Sequence, residues 1–73
     1  MRIFRMTFQQ NDGPEEEAGM LPKEEARAWL DAKERSARNM GFEVRREGDT
    51  LYATKQYPSM VKRRVFAVRE VLA

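Results

Sequence analysis

The sequence predicts a small α+β domain of order β-α-β-β-β, one amphipathic helix packed on a mostly antiparallel sheet, and three observations carry that prediction. A single long segment, Leu21 to Phe42, has a helical period with a start and a stop. Phe42 to Lys55 reads as a hairpin around a Gly-Asp turn. Arg2 to Phe8 alternates as a half-buried strand does.

The chain of 73 residues makes one domain, residues 1 to 73, and a domain this short buries only about 60% of the surface its unfolded chain exposes. Its core is small, and its expected stability is modest unless a partner or a second copy adds to it. There is no cysteine and no histidine, which removes disulfides, thiolate chemistry and imidazole ligands. No apolar run approaches the roughly 20 residues of a membrane span, and Met1 to Gln10 alternates instead of carrying a signal-peptide core. The expectation is a soluble, cytoplasmic protein with no membrane partner. The net charge of +2 hides an asymmetry: residues 1–31 carry −3 and residues 32–73 carry +5. With a pI near 9.3, the local basic character raises nucleic acid as a partner class.

In the first segment Phe4, Met6 and Phe8 fall on one side, assigned to the helix, and Ile3, Arg5 and Thr7 on the other. Gln9 to Met20 mixes turn formers with Glu15, Glu16 and Glu17 and has no period, so residues 9–20 are expected as an acidic connecting loop, either a solvated linker or a docking surface for something basic. In the helix, Pro22 suits the first position, Glu24 and Glu25 favour the positive end of the dipole, and Gly41 is placed as a left-handed stop. At about 100° per residue Ala26, Trp29, Leu30, Ala37 and Met40 share one arc, opposite Glu24, Arg27, Asp31, Glu34 and Arg38. Lys33 interrupts the apolar arc and is expected to lay its stem along it with the ammonium at the edge. Asp31 with Arg35 and Glu34 with Arg38 are acid-first pairs at i, i+4.

The hairpin turn at Gly48 and Asp49, glycine first, suggests the II′ form and fixes the register from Glu47 opposite Thr50 to Glu43 opposite Thr54. Phe42, Val44, Leu51 and Ala53 then share a face that should meet Trp29, Leu30 and Met40. Gln56 to Met60 contains a proline and marks a break. Residues 61–73 have two readings: a helix that aligns Val61, Val65, Val68 and Leu72, or a strand with Phe66 and Val68 on one face and Val65, Ala67 and Val71 on the other. The valine-rich composition favours the strand. As a strand it is apolar on both faces, and a homodimer or protein partner would cover the second face at Val65, Ala67 and Val71.

Chemistry-bearing motifs are sparse. There is no imidazole, no phosphate-binding glycine loop and no activated serine, so the protein is not expected to be an enzyme. Asp12 and the three glutamates lack the alternating spacing of a calcium loop, and no cofactor, metal or small-molecule substrate is expected. The remaining constellation is basic and aromatic: Arg45 opposite Tyr52, with Lys62, Arg63 and Arg64 entering the last segment, where phosphates could meet cations and a base could stack on a ring.

The N-terminal strand, the Trp-bearing helix, the hairpin GFEVRREGDTLYA and the closing RRVFAVREV together resemble the small accessory proteins of bacteriophages and mobile elements, across most of the chain. The helix followed by a hairpin is also similar to the core of dsRNA-binding-like toxins of the HicA type, whose activity rests on a catalytic histidine that this chain lacks. The two-sided apolar last segment, the small core and the absence of catalytic groups point to a non-catalytic accessory module that binds a protein partner, such as a host protein. The alternative is a nucleic-acid-binding module that uses Arg45, Tyr52, Lys62, Arg63 and Arg64.

Overall fold

The computed structural model describes residues 2–71, in the order β1 (Ile3–Gln10), β2 (Glu16–Pro22), α1 (Lys23–Asn39), β3 (Glu43–Glu47), β4 (Thr50–Tyr57) and β5 (Met60–Val71). The strands form one sheet ordered β2-β1-β5-β4-β3, with every neighbouring pair antiparallel. The helix covers one face of it. The architecture is the expected one with a second strand before the helix.

That extra strand corrects the reading of residues 9–20 as a loop. Asn11 and Asp12 take positive φ, 49° and 60°, and Gly13 N–H donates to Gln10 O at 2.9 Å. Two left-handed residues in succession make a tight turn of the I′ type, which matches the twist of a hairpin, and Asn and Asp tolerate that region best among side-chain-bearing residues. The Gln9 amide nitrogen donates to Gly13 O at 2.8 Å and braces it. Glutamates are poor strand formers, yet Glu16 and Glu17 pair with Phe8 and Thr7, because the ladder offered by β1 outweighs propensity. The register slips between Met6 and Thr7, leaving Ala18 as an extra residue, and resumes with Gly19 opposite Met6.

Central placement explains the composition of β5. It pairs with β1 from Ile3 opposite Val71 to Gln10 opposite Arg64, and with β4 from Thr50 opposite Ala67 to Tyr57 opposite Met60. A strand flanked on both sides suits β-branched residues. The helical alternative fails over Met60–Val71, and Leu72, on which it also relied, lies outside the described residues, as do Met1 and Ala73. The supposed break at Gln56 to Met60 shrinks to a two-residue turn at Pro58 and Ser59, between strands that run to Tyr57 and resume at Met60.

Between helix and sheet the core gathers Phe4, Met6, Ala26, Leu30, Leu51, Phe66 and Val68, with a smaller cluster of Ala37, Phe42 and Ala53 beside it. Alanines at 26 and 37 let the helix backbone approach the sheet. Met40, expected against the hairpin, caps the helix instead and is 48% exposed. At the other end Pro22 takes the cap position, φ −58° and ψ 159°, so Lys23 and not Pro22 begins the helix.

The C-terminal stop is as expected and its geometry is complete. Gly41 has φ +84°; its N–H donates to Arg38 O at 3.0 Å and Phe42 N–H donates to Ala37 O at 3.0 Å. These are the paired bonds of a Schellman motif, with Phe42 packed in the same cluster as Ala37. Gly41→Ala should therefore cost about 1 kcal/mol through the left-handed conformation alone, read as a lower urea midpoint with an unchanged slope.

The β3–β4 register is the one the turn dictates, Glu47 opposite Thr50 through Glu43 opposite Thr54. Gly48 has φ +57° while Asp49 is not among the residues of positive φ, which is the II′ pattern. Arg46, on the helix side of β3, reaches the helix: it hydrogen-bonds Asp31 and lies 3.3 Å from Glu34. The bond to Asp31 and the neighbouring carboxylates raise the Arg46 guanidinium above its ordinary range, against a smaller opposing effect of burial. Glu34 also meets Arg38 at 3.1 Å, as expected. Asp31, drawn to Arg46, forms no ion pair with Arg35 among the described residues. Across the sheet, Arg2 Nε donates to Glu70 at 3.1 Å, and that hydrogen bond holds the Glu70 carboxyl below the usual range.

Candidate nucleic-acid interface

Strand alternation divides the predicted constellation. On β5 the even residues Met60, Lys62, Arg64, Phe66 and Val68 face the helix side, and the odd residues Val61, Arg63, Val65, Ala67, Arg69 and Val71 face the open side. Lys62 and Arg64 thus part from Arg63. Arg45, Tyr52 and Arg63 share the open face, with the Arg45 guanidinium 4.8 Å from the Tyr52 ring centroid.

The open face is electrically matched. Arg45 lies 3.3 Å from Glu47, Arg63 lies 3.4 Å from Asp12, Arg5 lies 2.7 Å from Glu17 and Arg69 lies 3.8 Å from Glu15. The acidic segment, part of which became β2, therefore supplies partners for this face. The three residues expected to need an apolar cover are here as well. Ala67 is 3% exposed because Thr7 and Thr50 flank it and larger neighbours shield it, whereas Val65 and Val71 are half-buried.

The helix side is different. Strand β3 pairs with β4 only as far as Thr54, and β1 with β5 only as far as Arg64. Three pairs, Lys55 with Lys62, Gln56 with Val61 and Tyr57 with Met60, continue beyond them as a two-stranded arm. At about 3.4 Å per residue the arm adds roughly 10 Å, to a molecule measuring 46 × 23 × 17 Å. On its helix side cations alternate with rings. Lys62 Nζ is 5.6 Å from the Tyr57 centroid, Lys55 Nζ is 5.4 Å from Tyr57 and 5.8 Å from Phe42, and the Arg64 guanidinium is 4.9 Å from Phe42.

Lys33 continues this strip, 5.7 Å from Trp29 and 5.9 Å from Phe66, so its stem lies along the apolar arc as the periodicity suggested. Among the described residues none of Lys33, Lys55, Lys62 and Arg64 has a carboxylate within ion-pairing distance. Lys55 instead donates to Met40 O at 2.7 Å, at the negative end of the helix. Its position directly opposite Lys62 sets two like charges side by side, which costs stability when no anion lies between them.

Sequence reasoning missed Lys33, Lys55, Phe42 and Tyr57 as members of this surface. One signal could have found part of it: from Thr50 to Arg69 the chain has five cations and no acidic residue. Compared with protein-family models, curated proteins and solved structures, the chain matches none.

Proposed function

We propose that the protein is a non-catalytic nucleic-acid-binding module whose phosphate contacts fall on the β4–β5 arm. The observation that carries this reading is the strip Lys55, Lys62 and Arg64, without carboxylate partners among the described residues and seated against Phe42 and Tyr57, on a molecule whose other sheet face is ion-paired. Phe42 is 6% exposed and only seats the cations, while the half-buried Tyr57 ring offers a base a place to stack beside a backbone-binding row of charge. A two-stranded ribbon also has dimensions that a major groove admits.

A salt titration tests it. With three phosphates neutralised by the arm, log K should fall linearly with log salt at a slope of about −2 to −3. Binding indifferent to salt, or absent from single- and double-stranded DNA and RNA alike, would remove the reading.

A protein partner or second copy on the open face is the second reading, favoured by half-buried Val65 and, two positions along the same face of β5, Val61, which is 42% exposed. A dimer by light scattering that Val61→Glu dissociates would support it.

A further inference from the structure

The strip ends in a cleft of about 380 Å³ lined by Phe8, Gln10, Trp29, Lys33, Arg64 and Phe66. It is bounded by the helix on one side and by β1, β5 and Ala18 of β2 on the other. Its aromatic wall is continuous: the Phe8 and Phe66 centroids are 5.1 Å apart, and Trp29 meets Phe66 edge-on at 5.9 Å. Two cations without carboxylate partners among the described residues, Lys33 and Arg64, stand at it. The Arg64 Nε–H is also the buried side-chain polar group without a hydrogen-bond partner among the described residues.

Three requirements on an occupant follow. It must offer a flat apolar surface to Trp29 and Phe8, carry negative charge toward Lys33 and Arg64, and bring an acceptor within reach of the Arg64 guanidinium. Gln10 adds an amide that both donates and accepts. An unpaired nucleobase with its adjoining phosphate meets all three. A base held in a duplex does not, because its faces are already stacked.

We infer that this cleft seats one unstacked base of a single strand whose backbone continues along Arg64, Lys62 and Lys55. The inference rests on the proposed nucleic-acid reading and selects within it: single strands are preferred over duplexes. It also gives Arg64 a double place, at the inner end of the arm and at the mouth of the cleft.

The chain has one tryptophan, so Trp29 emission reports on the cleft directly. Oligodeoxythymidylate and oligouridylate of about 12 nucleotides, a length single-strand modules occupy, serve as probes beside a duplex of equal length. The single strands should quench Trp29 emission and bind about 10-fold more tightly than the duplex, the factor one stacked base supplies. Phe8→Leu, which takes a ring from the cleft wall and touches no cation of the arm, should erase most of that preference, read as the ratio of single-strand to duplex affinity. Unquenched Trp29 at saturation, or a duplex bound as tightly as the single strands, would overturn the cleft assignment while salt-dependent binding kept the arm reading alive. Absence of binding to every probe would overturn both.

Discussion

Leu51→Ala is expected to lower stability by about 3–5 kcal/mol, the upper part of the range for deleting a buried leucine. Leu51 and Leu30 are the largest side chains with no solvent exposure. Leu51 sits opposite both Arg46 of β3 and Phe66 of β5, in the same main core cluster as Leu30. Its neighbours are held in paired strands and cannot collapse into the void, which is the condition under which the cavity cost is large. For a chain this short the whole stability is about 4–11 kcal/mol, so the variant loses at least about a quarter of it and, at the lower end of that range, does not stay folded. Urea unfolding followed by Trp29 emission would show the midpoint fall with the slope preserved. Val61→Ala, at a side chain that is 42% exposed, should move it by less than about 0.5 kcal/mol. Equal midpoints for the two variants would mean that Leu51 is not a keystone of the core.

The second large effect concerns binding. Replacing Lys55, Lys62 and Arg64 together by glutamine should flatten the salt slope by about 2–3 and weaken binding by about 10- to 100-fold at low salt. The same change at Arg45 should leave the slope nearly unaltered, because that guanidinium is shared between Tyr52 and Glu47. The contrast separates a located contact from a general dependence on net charge. Because Lys55 also bonds the helix end, an unfolding curve on the triple variant belongs beside the titration. A triple variant that folds and binds as the parent does would place the nucleic acid elsewhere.

How much of this was legible in the sequence varies with how local the cause is. The β3–β4 register was readable because glycine first in a two-residue turn fixes every later pair. The helix stop was readable because Gly41 serves one conformation. Strand β2 was hidden because its glutamates and Gly19 are poor strand formers, and only the pairing offered by β1 makes them one; the Asn11-Asp12-Gly13 turn was the local clue. Met40 was misplaced because a period continued one step past the last helical residue counts a cap as a face. The Lys62, Arg63 and Arg64 triplet was seen as a unit, although alternation in a strand must separate its middle member. Which cations lack partners was not legible at all, since Glu15, Glu17 and Asp12 reach the open face only through the β1–β2 hairpin.

The position of β5 in the sheet also governs when the protein can fold. Until that last strand leaves the ribosome, the β1–β2 and β3–β4 hairpins have no common neighbour, and β1 and β4 both present bare edges. The pairing of β1 with β5 then has to close between segments far apart in the chain, 68 residues in the case of Ile3 and Val71. Chains stalled before that step expose two unprotected strand edges, the state in which small β-rich proteins associate wrongly.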